Sequence, residues 1–359
     1  MKKIIIALLI CNIQFGLKAQ TDKVDISQYK MSNNTSPAFL LIDESPTSIY
    51  TTNNIKALSL HVLDNFGESL SIEVAPYFFI NKNSSNRTYY KYIGVEKNMR
   101  TGNLDQNVFS GINNTTISVA YVDKEFEGIG AKRKVYSLGV KIPFFRWYSD
   151  TDLNRTYQNA ESMANLLAAI SPPNSILLQG REAIKEYYNS QSLPFQKTYK
   201  PTFRLDGAIA YSALFKENTT NSATVNRLGS WITGELSILL NSNSNSSSNS
   251  YFNLLFTGRY IEDEFNINEN GIYSTNYYRD LGGKVEFEFN DFAFSYEYIS
   301  RNGTVESERS VGNVKYTINK NLSITGGFGK DFAISDENLL TIFGINWGVN
   351  FGDSNMKIK

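Results

Sequence analysis

Long segments in the second half of the chain alternate, residue by residue, between apolar and polar side chains. From Phe203 to Phe215 the odd positions are apolar or small, whereas Arg204, Asp206 and Ser212 occupy even positions. Only a β-strand points successive side chains to opposite faces, so the pattern predicts strands with one apolar and one polar face. Segments of the same kind cover 228–240, 252–260, 281–289, 292–298, 314–318, 322–328 and 343–351.

Weaker alternation marks five earlier segments and brings the total to thirteen. They cover 58–63, 70–78, 90–96, 117–121 and 136–142. Two connections, Asn290-Asp291 and 319–321, are very short and contain residues that favour tight hairpin turns, whereas 263–271 and 301–310 are longer and polar. The chain is therefore predicted to be all-β and antiparallel.

The apolar face of these strands is unusually long and aromatic for a soluble sheet. The chain contains 22 Tyr and 23 Phe, although its mean hydropathy is negative at -0.31. Segments such as 203–215 exceed the mean of about 5 to 6 residues in globular strands and satisfy the roughly 9 to 11 that a tilted bilayer strand needs. A β-sandwich also alternates, but open edges of such strands would aggregate in water. We therefore expect a single closed antiparallel transmembrane β-barrel, which has no edge.

Residues 1–19 have the layout of a cleaved secretory signal. Lys2 and Lys3 form a basic start, 4–17 is an apolar run too short to span a bilayer, and Ala19 is a small residue before the expected cleavage site. The only cysteine, Cys11, follows Ile10, where a lipid-attachment box needs a small residue. We therefore expect no lipid anchor and a mature chain without cysteine.

The secretory signal, the alternating strands and the last strand together resemble the Gram-negative outer-membrane β-barrel class. That last strand, 344–351, reads GINWGVNF and has an aromatic residue at its end. The resemblance implies location in the outer membrane, contact with outer-membrane lipid, and recognition of the last strand by the barrel-assembly machinery. The chain departs from the class pattern by continuing as a tail over 353–359.

The number of strands is constrained by parity, because a barrel with both termini in the periplasm has an even number of strands. Thirteen is therefore wrong by at least one. Either a further strand lies within 37–50, or one weak early segment is not a strand. We expect 12 to 14 strands, and prefer 14, within residues 55–352.

Three regions depart from the alternating pattern. Residues 150–196 carry apolar residues at helical spacing on both sides of Ser171-Pro172-Pro173, which predicts a helical hairpin inserted on the periplasmic side. This hairpin is either a decorating insertion or a docking site for a periplasmic partner. The polar segment 20–54 is expected to be a first strand, a small lumenal plug or a periplasmic tail. Residues 241–250, which read NSNSNSSSNS, predict a loop.

The polar face of such a barrel lines its lumen, and the strand register places nine charged residues there. These candidates are Arg204, Asp206, Glu235, Arg259, Lys284, Glu286, Glu288, Glu297 and Lys315. They could form charged rings that select solutes, or salt bridges that fill a narrow interior. The first interpretation makes the chain a porin-like channel for small solutes. The second makes it a non-conducting barrel that acts as a structural or docking component of a surface or envelope complex, a role that the predicted helical hairpin would also suit.

Little in the sequence favours an enzyme. His61 is the only histidine and Ser59 lies on the same strand face; outer-membrane phospholipases pair these residue types on the outer face of a barrel, so a lipid-modifying enzyme is a third alternative. No second histidine or mature cysteine could complete a zinc site, so neither metal nor cofactor is expected. Lys+Arg and Asp+Glu both number 35, which disfavours nucleic-acid binding.

Overall fold

A computed structural model describes most of the chain. The described residues are 23–25, 36–42, 47–49, 57–63, 68–79, 88–98, 100–125, 132–169, 174–179, 199–215, 223–241, 249–267, 272–289, 291–319, 321–332, 339–349 and 355–357. The predicted secretory signal, Phe351, all of 180–198 and most of 241–250 lie outside these ranges.

Sixteen strands and four α-helices occur in the described ranges. The strands are β1 (Lys23–Asp25), β2 (Leu58–Leu63), β3 (Ser69–Val74), β4 (Val95–Lys97), β5 (Leu104–Gln106), β6 (Thr116–Glu125), β7 (Lys132–Trp147), β8 (Phe203–Phe215), β9 (Ala223–Asn241), β10 (Ser250–Ile267), β11 (Tyr273–Phe289), β12 (Phe292–Gly303), β13 (Ser307–Asn319), β14 (Leu322–Lys330), β15 (Leu339–Val349) and β16 (Asn355–Lys357). The helices are α1 (Pro37–Leu41), α2 (Tyr89–Ile93), α3 (Asp150–Ala169) and α4 (Asn174–Leu177). Two 3₁₀ turns, Pro76–Phe78 and Ser110–Asn114, complete the set.

Twelve of these strands, namely β2, β3 and β6 to β15, close into an antiparallel barrel. Each pairs with the next along the chain, and β15 pairs with β2 to complete the ring, so that Ile345 lies opposite Val62 and Trp347 opposite Leu60. Closure gives every barrel strand a hydrogen-bonded neighbour on both sides, as a sheet in hydrocarbon requires.

The polarity of the barrel is the reverse of that of a soluble protein. Outward side chains such as Ile209, Phe287 and Tyr296 are 51%, 50% and 56% exposed. Inward neighbours such as Ser212 and Glu297 are fully buried. The apolar residues therefore do not meet in a dry core between two sheets, and the sandwich alternative is excluded. A closed barrel with an apolar, aromatic exterior fits a bilayer, which places this protein in the outer membrane.

The preference for fourteen strands is wrong, because the barrel has twelve. Of the thirteen alternating segments, 90–96 is the one that does not enter the barrel. Thr88 caps α2 there by accepting a hydrogen bond from the N–H of Lys91, and Gly94 ends the helix with a positive φ of 73°. The strand expected within 37–50 is also absent from the barrel, because Pro37–Leu41 forms α1. The even strand number agrees with the parity argument.

The two ends of the barrel differ in the length of the connections between their strands. The end at which β2 begins and β15 finishes, here called the terminal end, carries the connections 75–115 and 148–202 together with the tight turns at 290–291 and 320–321. The opposite end, here called the loop end, carries connections no longer than 331–338.

The connections at the terminal end form a small core of their own, here called the terminal-end cluster. It joins β3–β6 connection residues, such as Phe78 and Tyr90, to Leu153 and Tyr157 in the first turns of α3. The rings of Tyr90 and Tyr157 stack with centroids 5.4 Å apart. Of the predicted helical hairpin, the structure describes α3 and the short α4, and the rest of its second half lies outside the described residues. None of the described helices is both long and apolar enough to cross a bilayer.

Candidate functional site

The interior of the barrel holds helix α1, which lies against the inward faces of β6 to β9. Ser36 caps the helix by accepting a hydrogen bond from the N–H of Phe39 at 3.2 Å, and Pro37 occupies the first turn, where its missing N–H costs nothing. Every residue from Ser36 to Ile42 is buried. The barrel residues that surround the apolar side chains of α1 include Ala120, Val122, Val135, Ala210, Leu214, Val225, Trp231 and Ile261.

The start of α1 is seated by two serines and a glycine of the barrel wall. The Oγ atoms of Ser36 and Ser71 lie 2.6 Å apart, and the N–H of Ala38 donates to Oγ of Ser118 at 3.2 Å. Gly139 faces this turn so closely that a Cβ there would lie 2.7 Å from Cβ of Pro37. The absence of a side chain at position 139 is therefore what lets the helix approach β7.

The last carbonyls of α1 are satisfied by arginines. Nη1 of Arg227 donates to the carbonyl of Leu41 at 3.0 Å, and Nη1 of Arg259 donates to that of Leu40 at 3.3 Å. A helix leaves its final carbonyls without partners inside the helix, so these charge-assisted bonds supply what a buried helix end needs.

Both arginines are themselves held by carboxylates. Arg227 pairs with Asp263 at 2.8 Å, and Arg259 pairs with Asp280 at 2.7 Å. Asp280 also accepts from Nε of Arg301 at 2.9 Å. These carboxylates hold the two guanidinium groups in position, so that each can donate to a carbonyl of α1.

A second contact with the N-terminal segment centres on Glu297 in β12. Its carboxylate accepts from Oγ1 of Thr47 at 2.6 Å and from the N–H groups of Ser48 and Ile49 at 2.9 and 3.2 Å. Arg309 pairs with the same carboxylate at 3.0 Å and is 0% exposed. One buried anion therefore binds three consecutive residues of the segment.

Lys284 holds the other side of this peptide. Its ammonium donates to Oγ1 of Thr47 and to the carbonyl of Ile49, both at 3.3 Å, and pairs with Glu286 at 3.2 Å. We call residues 36–42 and 47–49 the plug segment. Both ranges are bound to the interior of the barrel.

The terminal half of the interior contains a network of both charge signs. Arg204 pairs with Glu235 and, at 3.2 Å, with Asp206. Lys200 pairs with Glu288 and, at 3.6 Å, with Glu235. Burial opposes the charge of Lys200, but the carboxylates of Glu288, Glu235 and Glu286 outweigh it and raise its pKa above the ordinary value for lysine.

The opposite wall has its own buried set around Glu73. Lys141 pairs with it at 2.9 Å, and Thr116 donates to it. Nε2 of His61 lies 3.5 Å from the same carboxylate, while Nδ1 is 2.7 Å from Oδ1 of Asn346. Both nitrogens of His61 therefore face oxygen atoms of the barrel wall.

This position argues against the third alternative, a lipid-modifying enzyme that uses His61. A lipid-modifying enzyme of the type considered would need His61 and Ser59 on the outer face, yet both side chains are buried inside the barrel. Across the described ranges, no group of three or more His, Cys, Asp or Glu side chains is placed to bind a metal ion.

All nine charged residues selected from the sequence face the barrel interior. Seven are buried, whereas Glu288 and Lys315 are half-buried. Arg259, Lys284 and Glu297 contact the plug segment, and Glu286 pairs with Lys284. The network of the terminal half includes four more of the nine, namely Arg204, Asp206, Glu235 and Glu288. Sequence reasoning did not select Lys200, Arg227, Asp263, Asp280, Arg301 and Arg309, nor the set around Glu73.

Several of the residues that sequence reasoning missed could have been selected from the alternating pattern. Asp280 has the same parity in β11 as Lys284, and Arg301 has the same parity in β12 as Glu297. Extending the inward face toward the loop end would have found them. The set around Glu73 lies in strands with weaker alternation, and no signal in the sequence indicated its pairing.

Comparison with known proteins yields similar folds only. No protein-family model matches the chain, and no curated protein matches it. Among solved structures, the NanC porin is 8% identical over 82% of this chain and 100% of its own, with a TM-score of 0.37. The KdgM porin is 10% identical over 82% and 98%, with a TM-score of 0.34.

A third similar structure is the transport unit of the autotransporter AIDA-I from Escherichia coli. It is 9% identical over 82% of this chain and 88% of its own, with a TM-score of 0.29. Likeness at these levels carries no information about function. The chain's own geometry therefore assigns it to the outer-membrane β-barrels by fold, with its N-terminal plug segment inside the barrel.

Proposed function

We propose that this protein is a non-conducting outer-membrane barrel, kept closed by its own plug segment, and that it anchors the terminal-end cluster as a docking component of an envelope complex. The observation that supports this proposal best is that protein side chains fill the barrel interior around α1. Leu41 of the helix and Val122, Val135 and Leu214 of the wall are all 0% exposed.

A water-filled pore would leave its lining accessible to solvent, as in barrels whose lumen is a channel. Here even charged inward residues such as Glu73, Lys141 and Arg309 are at most 1% exposed. Their charges are compensated by ion pairs, because an isolated buried charge would be strongly destabilising. This pattern supports the interpretation of the lumenal charges as a packed interior and not as selective rings.

The distribution of the remaining chain supports the docking role. The longest connections, 75–115 and 148–202, lie at the terminal end, and some of their described residues form a core separate from the barrel. With the termini in the periplasm, this cluster faces the compartment in which a soluble or envelope partner is found.

The test is conductance in planar bilayers. We expect the wild-type protein to give no conductance steps and Gly139→Leu to give them, because the leucine side chain would occupy the place of Pro37 and prevent α1 from docking. Gly326→Leu is the matched control, since open space surrounds Gly326 and its side chain would point to lipid. Steps from the wild-type protein at low voltage would refute the proposal.

A gated porin-like channel is the second candidate, and one observation favours it. The plug segment is not part of any barrel strand, so it could leave the lumen without breaking a strand pair, and it would uncover the charged terminal half. This candidate predicts wild-type conductance that a disulfide between Ser36→Cys and Ser71→Cys abolishes and a reductant restores. The non-conducting barrel predicts no difference between the reduced and oxidised forms.

A further inference from the structure

A groove of about 650 Å³ crosses the outward, lipid-facing surface of β7 to β11. The strand register places Ile142 beside Gly207, Gly207 beside Ile232, and Ile232 beside Gly258. Glycine thus alternates with isoleucine across the sheet. At Gly258 an added Cβ would meet nothing nearer than Cδ2 of Leu281 at 3.7 Å, so the floor of the groove is open there.

A polar row borders the groove on the side nearer the loop end. Ser230 lies opposite Tyr260, and Tyr260 lies opposite Arg279. All three side chains are exposed on the outer surface of the barrel. The surface therefore combines an apolar groove with a hydroxyl-bearing and cationic edge.

Arg279 differs from the arginines of neighbouring strands. Arg227 and Arg259 point inward and pair with carboxylates, whereas Arg279 points outward. Among the residues that the structure describes, no carboxylate forms an ion pair with it. An outward arginine in a bilayer is tolerated where its guanidinium reaches the headgroup region.

The depth of Arg279 satisfies that condition. On the outward face of β11 it follows Tyr277, and the apolar residues Leu281, Val285 and Phe287 come after it toward the terminal end. It therefore lies at the edge of the apolar band that is closer to the loop end. With the termini in the periplasm, this edge meets the outer leaflet.

We propose that the groove binds one molecule of the phosphorylated glycolipid of the outer leaflet, with an acyl chain against Gly258 and a headgroup phosphate on Arg279; Gly207 takes no part, because the ring of Phe144 covers it. Guanidinium suits this ligand because its planar array of donors matches phosphate oxygens. Ser230 and Tyr260 add hydroxyl donors at the same edge.

The experiment measures binding of hexa-acylated lipid A to the full-length protein in detergent by native mass spectrometry. Dephosphorylated lipid A and phosphatidylglycerol are the comparison probes. We expect one lipid A per wild-type barrel, and binding at least about tenfold weaker to Arg279→Ala, because charge-assisted hydrogen bonds are lost. Dephosphorylated lipid A should bind both proteins equally.

Two outward glycines with similar free space provide a matched pair of variants. Gly258→Phe fills the groove and should weaken lipid A binding, whereas Gly312→Phe alters the outer surface of β13 and should not. Heat-modifiable gel mobility checks that each variant is folded. If Gly258→Phe does not fold, the difference in lipid A binding between the wild-type protein and Arg279→Ala tests the proposal.

Unchanged lipid A binding to Arg279→Ala, or to a folded Gly258→Phe, would overturn the proposal. Equal or tighter binding of phosphatidylglycerol would overturn the assignment to the outer-leaflet glycolipid. Neither outcome depends on whether the barrel conducts.

Discussion

At the scale of single residues, Glu297 connects the barrel wall to the plug segment through one carboxylate. It accepts hydrogen bonds from Thr47, Ser48 and Ile49 while it pairs with Arg309. Because Arg309 is completely buried, its charge depends on Glu297 and on Asp331, which lies at 2.6 Å. Glu297 therefore both holds the plug segment in the barrel and compensates the buried charge of Arg309.

Replacing Glu297 by Gln should lower the free energy of unfolding by about 3 kcal/mol, because removing one partner leaves a buried charge poorly compensated. Urea titration in lipid vesicles measures this change. A cysteine introduced at Ser48 should also become more reactive toward a maleimide in the Glu297→Gln background.

The control is Glu308→Gln, which alters an outward carboxylate of β13 that bonds Tyr298. We expect no measurable change in unfolding or in labelling for this variant. Equal effects of the two substitutions would show that Glu297 does not hold the plug segment.

The sequence was sufficient to place Glu297 and eight other charged residues on the inward face, because alternation determines the direction of a strand side chain. It was not sufficient to show what they contact. The partners of Glu297 come from residues 47–49, which are 248 to 250 positions away along the chain. Pairing over such distances depends on the closed barrel and leaves no local pattern.

At the scale of elements, the short helices were the hardest to predict. Residues 90–96 alternate as a strand would, but Thr88 and Gly94 provide the two caps that make 89–93 a helix. Helix α1 is apolar and only five residues long, so it has no period to detect. Its stability comes from burial inside the barrel, which is a tertiary effect.

The first turns of α3 belong to the terminal-end cluster, and their packing should be separable from the barrel. Leu153→Ala should destabilise this cluster by about 2 to 4 kcal/mol, because it leaves a cavity beside a well-packed core. Limited proteolysis should then cut within 148–179 faster, while heat-modifiable mobility of the barrel stays unchanged.

Gln158→Ala changes an exposed position of the same helix and serves as the control. It should leave the proteolysis rate unaltered. Loss of barrel mobility in Leu153→Ala would show that the cluster and the barrel fold as one unit.

At the scale of the whole molecule, the reversed polarity of the barrel makes the cost of an outward charge depend on depth. Val285 lies near the middle of the apolar stretch of β11, whereas Tyr277 lies toward the loop end. Arginine should cost about 2 to 4 kcal/mol at position 285 and about 0 to 1 kcal/mol at position 277.

Unfolding free energies of Val285→Arg and Tyr277→Arg in lipid vesicles measure this difference. Equal costs at the two positions would contradict the proposed placement of the bilayer around β11.

The overall architecture was largely predictable, because the same rule of alternation applies to every barrel strand. It predicted the closed antiparallel barrel and its membrane-facing exterior, whereas the even number of strands was predicted from the parity argument. The preferred number was too high because parity alone could not decide between adding a strand and removing one. The side chains of Tyr90 and Tyr92 alternate as in a strand but pack in the terminal-end cluster, and this removed the thirteenth segment.

The brevity of the connections at the loop end has a consequence for how a cell would present this protein. With the expected periplasmic termini, the connections at the loop end would face the environment, and the longest of them spans only 331–338. Connections of this length would give antibodies, bacteriophages and proteases few residues to bind. We therefore expect a protein partner to bind this barrel from the periplasmic side.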